Sequence, residues 1–244
     1  PSSSSAASDV YKRQSLNNLQ GGENLTLTGN GTISDKNVAT GKTLDVSGLT
    51  LGNGSGGTPG LSSNYKLDGG THTFNVTKKD ITFSGSRVYD ATTTVSSSDL
   101  VTNDTTSGET LAFSGSGTVS SANVQNNQSI TLGSIAIADG SGGGLASNYN
   151  LTTGTFDISQ KWVSVSGQKI YDATTTVSSS DLNVTGEVTG ESISITGTGS
   201  VTDKNVGSGK TIDISGLSLS DGSHSASNYT IGTTSFAITR RNLS

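Results

Sequence analysis

The chain of 244 residues has no cysteine and no methionine, and only two prolines, one tryptophan and two histidines. Without cysteine there are no disulfides, no thiolate metal sites and no cysteine nucleophile. Without methionine, the chain reads as an internal piece of a longer product. His72 and His224 do not occupy equivalent places, and each neighbours Gly, Ser or Thr, the setting of solvent-exposed loop histidines. Charged residues are only 14% of the chain, with a net charge of −5 and no basic stripe, so the electrostatic footprint of a nucleic-acid binder is missing. No apolar run approaches the roughly 20 residues needed to span a bilayer.

What is there is Gly, Ser, Thr and Asn, with hydrophobic residues held to 29%. Disorder pairs low hydrophobicity with high charge and no pattern. Here charge is low and the apolar residues are regularly placed, as thin β-domains with polar faces require. Residues 1–14 are the exception. They are low in complexity, and Asp9-Val10-Tyr11-Lys12-Arg13-Gln14 reads as the translation of a transposon-end adapter from a sequencing library. They are set aside from the fold.

Self-comparison is the informative step. The run from Val88 to Leu100, which contains Tyr89-Asp90-Ala91-Thr92, recurs from Ile170 to Leu182 with Tyr171-Asp172-Ala173-Thr174, 82 residues on. Asp35-Lys36-Asn37-Val38 returns as Asp203-Lys204-Asn205-Val206, with Ser121-Ala122-Asn123-Val124 between them. Asn64-Tyr65, Asn148-Tyr149 and Asn228-Tyr229 form a third set, and Phe74, Phe156 and Phe236 a fourth. The spacing predicts a truncated copy over 15–79, a full copy over 80–161, a nearly full copy over 162–240, and the start of another at 241–244.

Within each copy apolar residues alternate with Ser and Thr, as in Ile81/Phe83, Ile135/Ile137, Phe156/Ile158, Val163/Val165, Ile193/Ile195 and Phe236/Ile238. Period two marks half-buried strands. Asp-Gly and Gly-rich turn signals separate the runs. No segment has helical apolar spacing. The expected fold is all-β: tandem small β-sandwiches, Ig-like or related, of about 82 residues with six or seven short strands each.

The residues also resemble a known family. Tyr-Asp-Ala-Thr-Thr-Thr, the run Gly-Thr-Gly-Ser-Val-Thr-Asp-Lys-Asn-Val-Gly-Ser-Gly-Lys-Thr at 197–211, Ser-Gly-Leu-Ser-Leu-Ser at 215–220 and Ala-Ser-Asn-Tyr-Thr at 226–230 are similar to the YDG domain. That domain is related to the glycine-rich MBG modules. Its usual Tyr-Asp-Gly is Tyr-Asp-Ala here, at Ala91 and Ala173. The resemblance implies tandem domains in very large exported bacterial adhesins of the filamentous-haemagglutinin type, at the cell surface. It implies no catalytic residues and no cofactor.

The distinctive positions read as structural. Tyr89 and Tyr171 are expected to pack across the sandwich with their hydroxyls hydrogen-bonded, and Asp90 and Asp172 to close turns by accepting backbone N–H groups. Asp139 and Asp221 sit in Gly-rich loops whose spacing matches no calcium-binding loop, so no metal site is expected. Lys36-Asn37 and Lys204-Asn205 read as polar turns. Trp162, at the junction between copies, is expected to pack at the joint or to contact carbohydrate.

The expected function is a non-enzymatic spacer or stalk in a large secreted surface adhesin, its partners being neighbouring repeats. The alternative is an adhesive module whose repeats themselves touch surface glycans or proteins. Neither reading involves nucleic acid or membrane insertion by this segment.

Overall fold

A computed structural model describes residues 16–67, 71–102 and 104–243. The adapter reading of residues 1–14 lies outside them. The chain divides into two compact units between Lys78 and Lys79. The first contains β1 (Leu25–Gly29), β2 (Thr32–Ile33), β3 (Ala39–Asp45), β4 (Leu49–Asn53) and β5 (Thr73–Val76). β1 pairs antiparallel with β4, and β3 lies between β2 and β5.

The second unit holds two copies of one plan. The first copy runs through β6 (Lys79–Val88), β7 (Thr94–Ser96), β8 (Leu100–Val101), β9 (Leu111–Ser114), β10 (Ser116–Thr118), β11 (Gln125–Ser129), β12 (Ala136–Asp139) and β13 (Tyr149–Ser159). The next runs through β14 (Lys161–Ile170), β15 (Thr176–Ser178), β16 (Leu182–Thr185), β17 (Ile193–Val201), β18 (Gly207–Lys210), β19 (Ile212–Asp213), β20 (Leu217–Asp221) and β21 (Tyr229–Thr239). Each copy thus has eight strands, beyond the six or seven expected, because several are only two or three residues long. The only helical pieces among the described residues are single 3-10 turns, such as Ala226–Asn228.

Each copy is two-layered. One layer is a mixed sheet, β11-β13-β6-β8 and then β16-β14-β21-β18. The other is built from short antiparallel ladders: β7 with β10 and β9 with β12, then β17 with β15, β19 and β20. The alternating apolar residues supply the inward face, as period two dictates. Phe83, Phe156 and Ile158 from the mixed sheet meet Val95, Val119 and Ile135 of the opposing layer, and all are buried, as is Ile81. Val165, Phe236 and Ile238 repeat this against Val177, Val201 and Ile212. Among the described residues of the first unit, no apolar side chain is fully buried. The described residues there include no counterpart of β6, so the inward residues lack a central strand to pack beside.

The mixed sheet sets the direction of the chain. Its central pair is parallel and consists of the first and last strands of the copy, β6 with β13 and β14 with β21. A chain that starts and finishes on adjacent parallel strands enters a domain at one end and leaves at the other. Gly85 and Gly167 lie opposite Phe156 and Phe236 in these pairs. A Cβ on Gly85 would sit 2.5 Å from the Asp99 carbonyl oxygen and 2.8 Å from the Phe156 ring, so only glycine fits there.

Candidate functional site

β13 ends at Ser159 and β14 starts at Lys161, so Gln160 alone links the two copies. Its side-chain amide donates to the Ser227 carbonyl oxygen at 3.1 Å. Around this link the motifs that recur along the sequence meet one another. Tyr89, at the end of β6, is only 4% exposed and reaches the following copy. Its hydroxyl donates to Glu191 Oε1 at 2.8 Å, while the Tyr229 hydroxyl donates to Glu191 Oε2 at 2.5 Å. The two rings stand edge to face, 5.5 Å between centroids. One carboxylate therefore serves two tyrosines from successive copies. Burial first, and then the Glu191 carboxylate, push both phenols up to about 12, because removing a proton would put a second negative charge beside the first.

Asn228 completes the joint. It is 1% exposed, accepts the Val124 N–H at 2.9 Å and donates to Asn123 Oδ1 at 3.0 Å. The Asn-Tyr motif of one copy thus grips the Asn-Val motif of the copy before it. Phe83, Tyr89, Phe156 and Ile158 share one apolar cluster with Val163, Ile193 and Tyr229, so the core runs through the joint without a break.

The same carboxylate–tyrosine pair recurs inside every copy. Tyr65 donates to Glu23 Oε2 at 2.6 Å, and Tyr149 to Glu109 Oε2 at 2.5 Å. Each hydroxyl also accepts a backbone N–H, from Gln20, Thr106 and Val188 in turn. Asn64 is exposed and Asn148 half-buried, whereas Asn228 is enclosed by the joint.

Asp90 and Asp172 close their turns. Asp90 Oδ1 accepts the Thr92 N–H at 3.0 Å, and Asp172 Oδ1 accepts that of Thr174 at 2.9 Å. Between each Asp and Thr the chain passes through left-handed backbone, with φ of 64° at Ala91 and 65° at Ala173. Arg87 and Lys169 anchor these turns from the preceding strand, at 3.2 Å from Asp90 Oδ1 and 3.0 Å from Asp172 Oδ1. The Thr174 N–H, and then Lys169, hold the Asp172 carboxyl down to about 2.

A second set of ion pairs lies within the copies. Lys42 reaches Asp35 at 2.6 Å and Lys210 reaches Asp203 at 2.8 Å, with both ammonium stems nearly buried. The copy between them carries Ser121 and Gln128 at these places, and Gln128 Oε1 accepts the Ser121 N–H at 3.1 Å. Asp35 and Asp203 also accept the N–H of Asn37 and Asn205, which makes the Asp-Lys-Asn runs Asx turns.

The remaining candidates fall elsewhere. Asp139 and Asp221 accept the N–H groups of Ala146 and Ala226 at 2.8 and 2.7 Å, bracing the Gly-rich loops. Among the described residues no group of three or more potential metal ligands exists. His72 is not a free loop residue: it is half-buried, and its Nε2 is shielded from solvent. His224 is 44% exposed, with Ser223 Oγ 2.8 Å from its Nδ1 and Glu191 3.8 Å from its Nε2. Ser223 Oγ is itself tied to Ser192 by the Ser192 N–H at 3.0 Å and its hydroxyl at 3.0 Å. Trp162 does not fill the joint. It is 74% exposed, its indole lying against Gly232 on the outer face of β14. A groove of about 490 Å³, lined by residues including Ile214, Leu219, Tyr229 and Ile231, opens on the last copy.

Glu23, Glu109 and Glu191 are the residues that sequence reasoning passed over. Their spacing carries the signal, since they recur at the same offsets, 86 and then 82 residues, as Asp35, Ser121 and Asp203.

An all-β chain with recurring motifs, two copies of which lock end to end across Gln160, is a tandem-repeat protein. The YDG domain model matches residues 72–156 and again residues 159–236, and the chain belongs to the YDG domain family. No curated protein and no solved structure matches it.

Proposed function

We propose that this chain is a non-enzymatic spacer segment of a large secreted bacterial surface protein of the filamentous-haemagglutinin adhesin type. The observation that carries this reading is the joint. A single residue, Gln160, links parallel-paired end strands, and one buried carboxylate, Glu191, is held from both sides. Such a connection transmits direction from one copy to the next, which is what a stalk needs and what a flexible linker cannot give. The polar outer surface and the net charge of −5 suit an exported, solvated array, with neighbouring repeats as the partners.

A purified sample of the chain applied to a glycan array tests the reading, and silence across the array is the expected result. Trp162 supports a second reading. A 74%-exposed indole lying flat on a strand is the kind of surface on which a sugar ring stacks. Glycan binding that Trp162→Ala abolishes would make the repeats adhesive modules and overturn the spacer reading.

A further inference from the structure

The joint between the two copies has a giving face and a receiving face. The giving face comes from the earlier copy: the Tyr89 hydroxyl and the Val124 N–H donate, and beside them Asn123 Oδ1 accepts from the Asn228 amide. The receiving face comes from the later copy: Glu191, Asn228 and Tyr229. The far end of the later copy carries a second giving face. Tyr171 stands where Tyr89 does, and Asn205-Val206 stand where Asn123-Val124 do.

This second face is already formed. The Tyr171 N–H donates to the Thr239 carbonyl oxygen at 2.9 Å, as the Tyr89 N–H does to Ser159 at 2.9 Å. The Asp172 turn repeats the Asp90 turn. Asn205 N–H is held by Asp203, as Asn123 N–H is held by Ser121. A face that needs no rearrangement binds without the cost of ordering it.

What differs is cover. Tyr89 is 4% exposed and Val124 is packed on the shared core, whereas Tyr171 is only half-buried and Val206 is 48% exposed. Among the described residues the Tyr171 hydroxyl has no hydrogen-bond partner. Leu243 is 95% exposed, in line after β21 with the place that Val163 takes after β13, where Val163 is 2% exposed. All three are uncovered where their counterparts are covered.

We propose that the face formed by Tyr171, Asn205 and Val206 docks a further YDG repeat in series. That repeat presents a glutamate in the place of Glu191 and an Asn-Tyr pair in the place of Asn228-Tyr229. This deepens the spacer reading and rests on it, because it makes the lock between Glu191 and its two tyrosines a recurring one.

Tyrosine nitration mapped by peptide mass tests the assignment. In the 244-residue chain Tyr171 reacts and Tyr89 is protected. The full chain extended past Ser244 by another copy of residues 165–240, which brings Leu243 into a first strand, should protect Tyr171 by about tenfold or more, matching Tyr89. Replacing the appended copy's counterpart of Glu191 by alanine should remove that protection. Undiminished reactivity of Tyr171 beside a folded appended copy overturns the proposal. So does protection of Tyr171 that rises with concentration in the unextended chain, since the face would then belong to a second molecule. If the appended copy does not fold, Glu191→Ala in the 244-residue chain must raise Tyr89 to the reactivity of Tyr171, and failure to do so also overturns it. Glycan binding on an array would sink the spacer reading while leaving these nitration results as they are.

Discussion

The hydroxyls of Tyr89 and Tyr229, separated by 140 residues in the chain, share the two oxygens of a single carboxylate, and their rings meet at 79°. Tyr89→Phe removes a single one of the bonds that cross the joint and should cost about 1 kcal/mol. Glu191→Ala strands two buried donors at once and should cost about 3 kcal/mol. Urea denaturation midpoints check both. If the two changes are additive when combined, the shared-carboxylate account is wrong.

Ala91 and Ala173 hold a left-handed backbone that disfavours any side chain with a Cβ. Glycine, the family's usual residue at this place, removes that strain but frees the unfolded chain. Ala91→Gly and Ala173→Gly should each still raise stability, by about 0.5–1 kcal/mol, and lift Tm by about 2 °C. A fall in Tm by differential scanning calorimetry would contradict this.

The copy that carries Ser121 and Gln128 has a neutral contact where the others have an ion pair, and Gln128 Nε2 is buried without a partner. Ser121→Asp combined with Gln128→Lys should restore the pair and gain about 1 kcal/mol at neutral pH. Either change alone should destabilise. Chemical denaturation of the two single variants and the double variant measures the coupling.

The raised phenols give an alkaline limb. In the unfolded chain Tyr89 and Tyr229 ionise near 10, while in the folded chain they keep their protons up to about 12. The folded state therefore holds more protons across this window, and stability is lost as pH rises from 10 through about 12. At the acid end Asp35 and Asp172 remain ionised down to about 2 against an ordinary 3.8, so their contribution fades as pH falls from 3.8 through about 2. Tyrosinate absorbance followed alongside circular dichroism should show ionisation and unfolding together on the alkaline side, with Tyr89→Phe reducing the amplitude.

Much of the fold was legible in the sequence because burial alternates with the pleat. Ile81/Phe83, Phe156/Ile158, Val163/Val165 and Phe236/Ile238 all face inward as their spacing predicts. The parallel pairing of first and last strands was not, since alternation says which face a residue takes and nothing of its neighbour strand. The site was legible in part. The Tyr-Asp and Asn-Tyr motifs stood out by recurrence, but that they meet across a joint depends on how two copies stack, which no single copy encodes. The buried ion pairs left a readable trace: Asp203 and Lys210 lie seven residues apart, as Asp35 and Lys42 do, and both partners change together at Ser121 and Gln128.

The parallel ladder between β14 and β21 has a mechanical consequence. Tension applied along the chain grips the start of β14 and the end of β21 and pulls them in opposite directions. The ladder is then loaded in shear, with its hydrogen bonds resisting together, and does not peel apart one bond at a time. A domain with a small core can in this way withstand a sustained pull on its two ends.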